Sequence, residues 1–185
     1  MKMMTRTLAV CASCVLLASA NVEATVLIPA SLDELTREAG AIVRGRVVAV
    51  DARLTPDRRE IETLVTVQTE MTLKGSLGAT AQFVVPGGAL GRYRSIFVGA
   101  PSFGIGQHVI VFLGWHGPSY PYLIGLGQGV FRIGAGADDV LRVVPPIVSA
   151  PASGGVAVVR GDPARRPMAL AEFEQRIRAM VGGDR

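Results

Sequence analysis

After residue 24 this chain contains no cysteine. Its only two, Cys11 and Cys14, lie in an apolar run over residues 7–20 that follows a short basic segment and ends in small side chains. This order of features is typical of a secretory signal peptide, so we expect residues 1–24 to be removed, with cleavage after Ala20 as the alternative. The exported domain would reach a compartment that permits disulfides without a thiol to form one, so its stability must come from its hydrophobic core.

The chain is also poor in net charge and in long apolar stretches. Residues 25–185 carry 17 basic and 14 acidic side chains, a net charge of +3, and the arginines are scattered rather than gathered into a stripe. This distribution argues against nucleic acid as a partner. Beyond the signal peptide, no stretch reaches the ~20 apolar residues of a membrane-spanning helix, so we expect no transmembrane segment after cleavage. The 161 residues that remain suit a single domain.

No catalytic or metal-binding motif is apparent. The only histidines are His108 and His116, and without thiols they fall short of the three or four converging ligands of a metal site. We therefore expect neither a metal nor a cofactor. Residues 100–104 resemble the turn that exposes a catalytic serine, but the pattern around Ser102 predicts no parallel α/β sheet. Hydrolysis by carboxylates that meet across strands stays open as an alternative, with Glu60, Glu62 and Glu70 as candidates.

The start of the domain predicts a short helix followed by a strand. Ser31 and Glu34 have the spacing of a capping box, so a helix should begin there, and Gly40 is suited to end it. The valine-rich run over residues 41–50 predicts a strand with a bulge or bend at Gly45.

A polar segment and a long alternating segment come next. Residues 51–60 contain a proline and predict an exposed loop. Apolar and polar residues then alternate over residues 61–73, which predicts a half-buried strand long enough to curl around a small barrel or to cross between sheets. Lys74 and Gly75 should close this strand.

The rest of the chain predicts many short strands and one final helix. The strands are expected at residues 81–85, 93–98, 108–113, 122–126, 130–133, 140–144 and 156–159. No helical pattern separates them, so the predicted fold is mainly β, an antiparallel OB-like barrel with a β-sandwich as the alternative. Apolar residues recur at helical spacing near the end of the chain and predict a C-terminal helix at about residues 168–181 that packs on the β-structure.

Two loops carry candidate ligand-binding residues. Aromatic side chains with polar edges offer a large contact area at low entropy cost, and residues 114–122 concentrate four of them on a Pro- and Gly-rich loop: Trp115, His116, Tyr120 and Tyr122. A second loop carries Arg92 and Tyr93, where the arginine is suited to an acidic partner. The structural alternative is that Trp115 caps the core, the tyrosines brace their loop, and the arginine deters edge-to-edge aggregation.

The order of these landmarks resembles a group of secreted bacterial proteins of uncharacterised function. They share a helix, a strand like AIVRGRVVAV at residues 41–50, and a long strand ending in LKG at Leu73–Gly75. A PGG loop at Pro86–Gly88 and a G-x-P-x-F stretch leading to F-L over Gly99–Leu113 complete the pattern, which spans residues 31–133.

The first half of the chain is also similar to netrin-like and metalloproteinase-inhibitor OB barrels, in which a strand of the form IVxGxV precedes a long strand ending in a K-G turn. This resemblance implies an OB-like barrel, a fold that mostly serves binding. Those domains engage the metal of a target protease through an N-terminal cysteine motif. The mature chain has no cysteine, so the resemblance does not imply inhibition by that mechanism.

Together these features favour an exported, non-catalytic binding or interaction module in the periplasm or outside the cell. The expected partner is a protein, a peptide or a glycan, whose identity the sequence does not specify. Two alternatives stay open: a secreted or periplasmic hydrolase that uses carboxylates, and a structural subunit of the cell envelope.

Overall fold

The computed structural model describes residues 30–117, 119–136, 138–146, 148–149, 159–160 and 166–183. The predicted signal peptide lies outside these residues, as does most of the strand predicted at 156–159. Within the described part the chain is mainly β, with a short helix at its start and a longer one at its end. The predicted class is therefore confirmed.

The two helices are α1, Leu32–Glu38, and α2, Leu170–Gly183. The strands are β1 Ala41–Leu54, β2 Ile61–Lys74, β3 Thr80–Pro86, β4 Gly88–Leu90, β5 Tyr93–Ser95, β6 His108–Gly114, β7 Tyr122–Leu123, β8 Val130–Ala135, β9 Leu141–Val144, β10 Val148–Ser149, β11 Val159–Arg160 and β12 Met168–Ala169. A four-residue 3₁₀ helix, Leu126–Gly129, separates β7 from β8. The predicted C-terminal helix is present, shifted by two residues from its expected bounds.

Eight strands form one sheet in the order β1-β2-β3-β7-β6-β8-β9-β12, and β1 pairs with β6 as well as with β2. These pairings are antiparallel apart from a parallel one between β3 and β7, where Val84 lies opposite Tyr122. Two separate two-stranded sheets, β4-β5 and β10-β11, complete the described strands. Strand β1 therefore has a hydrogen-bonded neighbour along both of its edges.

The long alternating strand is present as β2, but β1 extends further than the sequence predicts. Residues 51–54 belong to β1 rather than to the loop, which leaves only residues 55–60 between the strands. The pairing explains the difference, because Arg53 lies opposite Glu62 and its Nε is 2.8 Å from a Glu62 carboxylate oxygen. A cross-strand ion pair stabilises polar residues within a sheet. The polar residues at the end of β1 are therefore compatible with a strand.

Gly45 marks an irregularity in β1, as its position in the sequence predicts. The register between β1 and β2 shifts between Arg44 and Gly45. A side chain on Gly45 would meet the backbone carbonyl oxygen of Gln68 and would lie 2.6 Å from a methyl of Val67. Only glycine allows the two strands to approach this closely.

Strand β6 is buried on both faces, because it lies between two apolar clusters. Val109, Val111 and Leu113 face the first, which we call the valine cluster, while Ile110 and Phe112 face the second, the helix cluster. The valine cluster comprises Val43, Val47, Val65, Val67, Ala81, Phe83, Val85, Val109, Val111, Leu113, Leu123 and Val130. The helix cluster comprises Leu32, Leu35, Ala39, Ile42, Leu73, Ile110, Phe112, Ile124, Phe131, Val143, Phe173 and Ile177.

Both helices contribute to the helix cluster. In α1 the predicted capping box is present: the Glu34 amide donates to the Ser31 hydroxyl, and the Ser31 amide donates to the Glu34 carboxylate. At the other end of α1, the ammonium of Lys74 donates to the carbonyl oxygens of Thr36 and Arg37 at 2.6 and 3.0 Å. Because those carbonyls have no partner within the helix, Lys74 ties α1 to the end of β2.

Helix α2 packs through one apolar stripe. Phe173 and Ile177 are buried, and the Phe173 ring centroid lies 4.9 Å from that of Phe131 on β8. This is the docking that the helical spacing predicts. Within the described residues, no helix has the length and apolar character needed to cross a membrane.

We expect the Gly45→Ala substitution to destabilise the fold, because the added methyl would collide with the backbone of β2. The free energy of unfolding should fall by at least about 2 kcal/mol, as in other overpacked sites. Gly134→Ala is the matched control, since it also lies in a strand but has no atom within 4 Å of the added carbon. Urea denaturation would measure both, and equal stabilities of the two variants would contradict the close approach at Gly45.

Candidate functional site

The structure does not bring the six predicted ligand-binding residues into one group. Trp115 follows β6 and is 40% exposed. Its ring lies against Gly40, where an added side chain would come within 2.8 Å of the indole. The exposed Trp115 therefore lies over the point where the chain enters β1.

His116 and Tyr122 form a second group. Their rings are stacked, with centroids 4.2 Å apart and planes inclined by 7°. Tyr122 is half-buried and packs against the helix cluster, so its ring and that of His116 brace the loop between β6 and β7.

Tyr120, on the same loop, belongs to a third group that includes two residues from the β1-β2 hairpin. The guanidinium carbon of Arg53 lies 4.9 Å from the centre of the Tyr120 ring. Arg53 is also the partner of Glu62 across the hairpin. The hydrogen bond to Glu62 raises the pKa of Arg53 above its ordinary value; burial acts in the opposite direction, and Tyr120 adds to the increase. Arg53 therefore stays charged and holds the ring and the carboxylate together.

These three residues line an open cleft of about 710 Å³, which we call the tyrosine cleft. It is lined by Arg53, Leu54, Pro56, Glu62, Val84, Ser119, Tyr120 and Pro121. The walls are thus the end of the β1-β2 hairpin on one side and the loop before β7 on the other. Its chemistry combines an aromatic ring, apolar side chains, a guanidinium, a carboxylate and a hydroxyl.

Sequence reasoning missed Arg53 as a site residue. The strand register could have indicated it. Arg53 lies one residue before the end of β1 and Glu62 one residue after the start of β2, and residues at such matching positions pair across a hairpin. No feature of the sequence alone indicates that Tyr120 approaches this pair, because that contact joins positions 67 residues apart.

Arg92 and Tyr93 lie on the hairpin formed by β4 and β5 and line a different cleft from Tyr120. The guanidinium of Arg92 lies 5.0 Å from the centre of the Tyr93 ring and donates to its hydroxyl at 2.7 Å. Both residues line another open cleft, of about 890 Å³, which we call the arginine cleft. The two clefts share Leu54 in their walls.

A cluster of charges lies where α2 crosses β1 and β2. Arg44 is hydrogen-bonded to the buried carboxylate of Glu174 and lies 3.4 Å from an oxygen of Glu70, a contact without hydrogen-bond geometry. His108 Nδ1 is 3.1 Å from the other oxygen of Glu70, and Arg178 is 3.4 Å from Glu174. Each carboxylate therefore has basic partners, and the arrangement joins α2 to the sheet.

Three open clefts of the described surface differ in the carboxylates that line them. The tyrosine cleft contains one carboxylate, Glu62, and the arginine cleft contains one, Glu60. A third cleft, between Val50 and Phe103, contains none. In the described parts of the chain, no three or more His, Cys, Asp or Glu side chains are grouped as metal ligands would be. The tyrosine cleft offers the ring of Tyr120 for stacking and the polar groups of Arg53, Glu62 and Ser119 for hydrogen bonds.

In comparisons with known proteins, no protein-family model, no curated protein and no solved structure matches this chain. The resemblances to secreted bacterial proteins and to netrin-like barrels stay predictions.

We expect Arg44→Met to lower the free energy of unfolding by about 3 kcal/mol, because it leaves the buried Glu174 carboxylate without its main partner. The control is Arg37→Met, which breaks a pair with Asp33 in which both side chains are mostly exposed, and which should cost less than about 1 kcal/mol. Chemical denaturation would compare them. An equal, small loss in both variants would contradict a structural role for the cluster.

Proposed function

We propose that this chain is an exported, non-catalytic binding module built on an OB-like barrel, and that the tyrosine cleft binds a glycan. The pairings support the barrel. Strand β1 joins β2 and β6, β2 joins β3, and β7 joins β3 to β6, so five strands form a circuit in which each has two neighbours. A sandwich, the alternative, would leave edge strands within this set, whereas a barrel removes them.

The position of the tyrosine cleft supports a binding role. In OB barrels, ligands bind near the loops that follow the first strand and precede the fifth. Along the circuit proposed here, those are the β1-β2 loop and the β6-β7 loop, which supply Pro56 and Tyr120 to the two walls of the cleft. The fold and the side chains therefore point to the same surface.

The single observation that carries the proposal is the half-exposed ring of Tyr120, held at the wall of the cleft by Arg53 and Glu62. Tyr120 is 44% exposed although its ring contacts the guanidinium. An aromatic face stacks on the apolar face of a sugar, and the adjacent guanidinium, carboxylate and Ser119 hydroxyl supply donors and acceptors for its hydroxyl groups. Since the ion pair fixes these groups in advance, little order would have to be gained on binding.

The absence of a second carboxylate in this cleft favours binding over hydrolysis. Glycoside hydrolases use two carboxyl groups that flank the scissile bond. Here Glu62 stands alone in the cleft and is paired with Arg53, so it is suited to accept a hydrogen bond rather than to transfer a proton. Export is supported by the signal-peptide pattern in residues 1–24.

We expect Tyr120→Ala to weaken glycan binding by at least about tenfold, because it removes the stacking surface. The probes are neutral oligosaccharides, chitohexaose, cellohexaose and maltohexaose, titrated by calorimetry. Tyr93→Ala is the matched control, since Tyr93 is equally an exposed tyrosine next to an arginine but lines the arginine cleft, and it should leave the affinity unchanged.

Two results would contradict the proposal. Failure of all three oligosaccharides to bind would remove the glycan assignment. Hydrolysis of a bound oligosaccharide that Glu62→Gln abolishes would show instead that the cleft is an active site.

A further inference from the structure

A second surface, on the β4-β5 hairpin and the loop after it, has a chemistry that the proposed glycan cleft does not use. We infer that this surface docks on an anionic lipid bilayer. Its centre is the segment Ile96, Phe97 and Val98, which we call the apolar tip. These side chains are 77%, 52% and 59% exposed, and Tyr93 nearby on the hairpin is exposed as well.

The apolar tip is unusual because its three apolar residues are consecutive and all exposed. In a strand packed on a core, alternate residues would be buried, as they are in β3. Scattered apolar residues are normal on a protein surface, but a contiguous exposed group marks an interaction site. Within the described residues, the exposed surface of the apolar tip is not covered by other apolar side chains, so it is available to an apolar partner.

Arginines line the cleft beside the apolar tip. Arg92 and Arg94 come from the hairpin, and Arg59 comes from the β1-β2 loop and lines the same arginine cleft as Phe97. Arg58 is exposed next to Arg59. Two carboxylates oppose them: Glu60 lines the cleft, and Asp57 lies 3.8 Å from Arg59. Four arginines against two carboxylates leave a net positive charge beside the apolar tip, which we call the positive rim.

The backbone holds the apolar tip in place at both ends. Before it, β4 and β5 pair from Gly88 opposite Ser95 to Leu90 opposite Tyr93. After it, the Ala100 amide donates to the Phe97 carbonyl in a turn that contains Gly99 with φ of 90°. The Gly99 carbonyl in turn accepts from the amide of Gly127. The tip is thus presented in a fixed position, so that docking costs little loss of loop freedom.

A bilayer fits this surface better than an acidic protein or a second copy of the chain. A stable protein interface buries about 800 Å² on each partner, far more than three side chains provide. Membrane docking needs only a few apolar side chains at the interface together with arginines near anionic headgroups, each basic residue adding about fivefold to the affinity. The apolar tip supplies the apolar side chains, and the positive rim beside it supplies the arginines.

The test is sedimentation with vesicles of phosphatidylglycerol and phosphatidylcholine in equal parts, compared with phosphatidylcholine alone. We expect the full chain to bind the anionic vesicles at least about tenfold more tightly, with binding weakened by salt. Phe97→Ser should reduce this binding at least about fivefold, and the double variant Arg92→Gln/Arg94→Gln should reduce it at least about tenfold. All variants keep residues 1–29, so any lipid binding by that segment is the same in each and does not affect the comparison between them.

The controls match each change elsewhere on the surface. Leu141→Ser is the control for Phe97→Ser, because the exposed fraction of Leu141, 51%, is similar to that of Phe97. Arg46→Gln/Arg176→Gln is the control for the arginine variant, because it removes two exposed arginines and changes the net charge by the same amount. Neither should alter vesicle binding. The inference is overturned if the chain does not bind the anionic vesicles, or if the controls weaken binding as much as the tip variants do. It is also overturned if Phe97→Ser converts a dimer of the chain to a monomer without weakening vesicle binding.

Discussion

The structure depends on the pairing of β1 with two partners at once. Gly45 lies in both pairings, opposite Thr69 of β2 and Val109 of β6, and its lack of a side chain lets the backbones of β1 and β2 approach closely. Because β1 is shared, its alternate side chains serve two layers: Val43 and Val47 enter the valine cluster, while Ile42 enters the helix cluster. The described residues contain no cysteine, and two apolar layers on either side of β6 supply the core instead.

The same pairing determines where the loops meet. The extension of β1 to Leu54 carries Arg53 to the end of the sheet, opposite Glu62. Strand β7 pairs with both β3 and β6, and this brings the preceding loop, with Tyr120, to the same end. The tyrosine cleft is therefore a consequence of the strand order, while the arginine cleft depends on the β4-β5 hairpin that is inserted between β3 and β6.

Local patterns were sufficient where neighbouring residues in the chain determine the structure. The capping box at Ser31, the alternation along β2 and the stripe of α2 are all confirmed, because spacing alone decides which side chains share a face. The end of β1 was misjudged because the partner that keeps Arg53 in the sheet lies across a hairpin. The candidate aromatic residues were found, but the separation of Trp115, His116 and Tyr120 into different contacts depends on tertiary neighbours that one sequence does not reveal.

The central claim is that the end of the sheet at Tyr120 is a binding surface. It is tested most directly by following the backbone amide signals of the isotope-labelled chain by NMR during titration with the oligosaccharides. We expect shifts confined to residues 53–62, Val84, Ser119 and Tyr120, with the amides of α2 unchanged. Shifts centred on α2 or on the β8-β9 hairpin, with residues 53–62 unaffected, would contradict it.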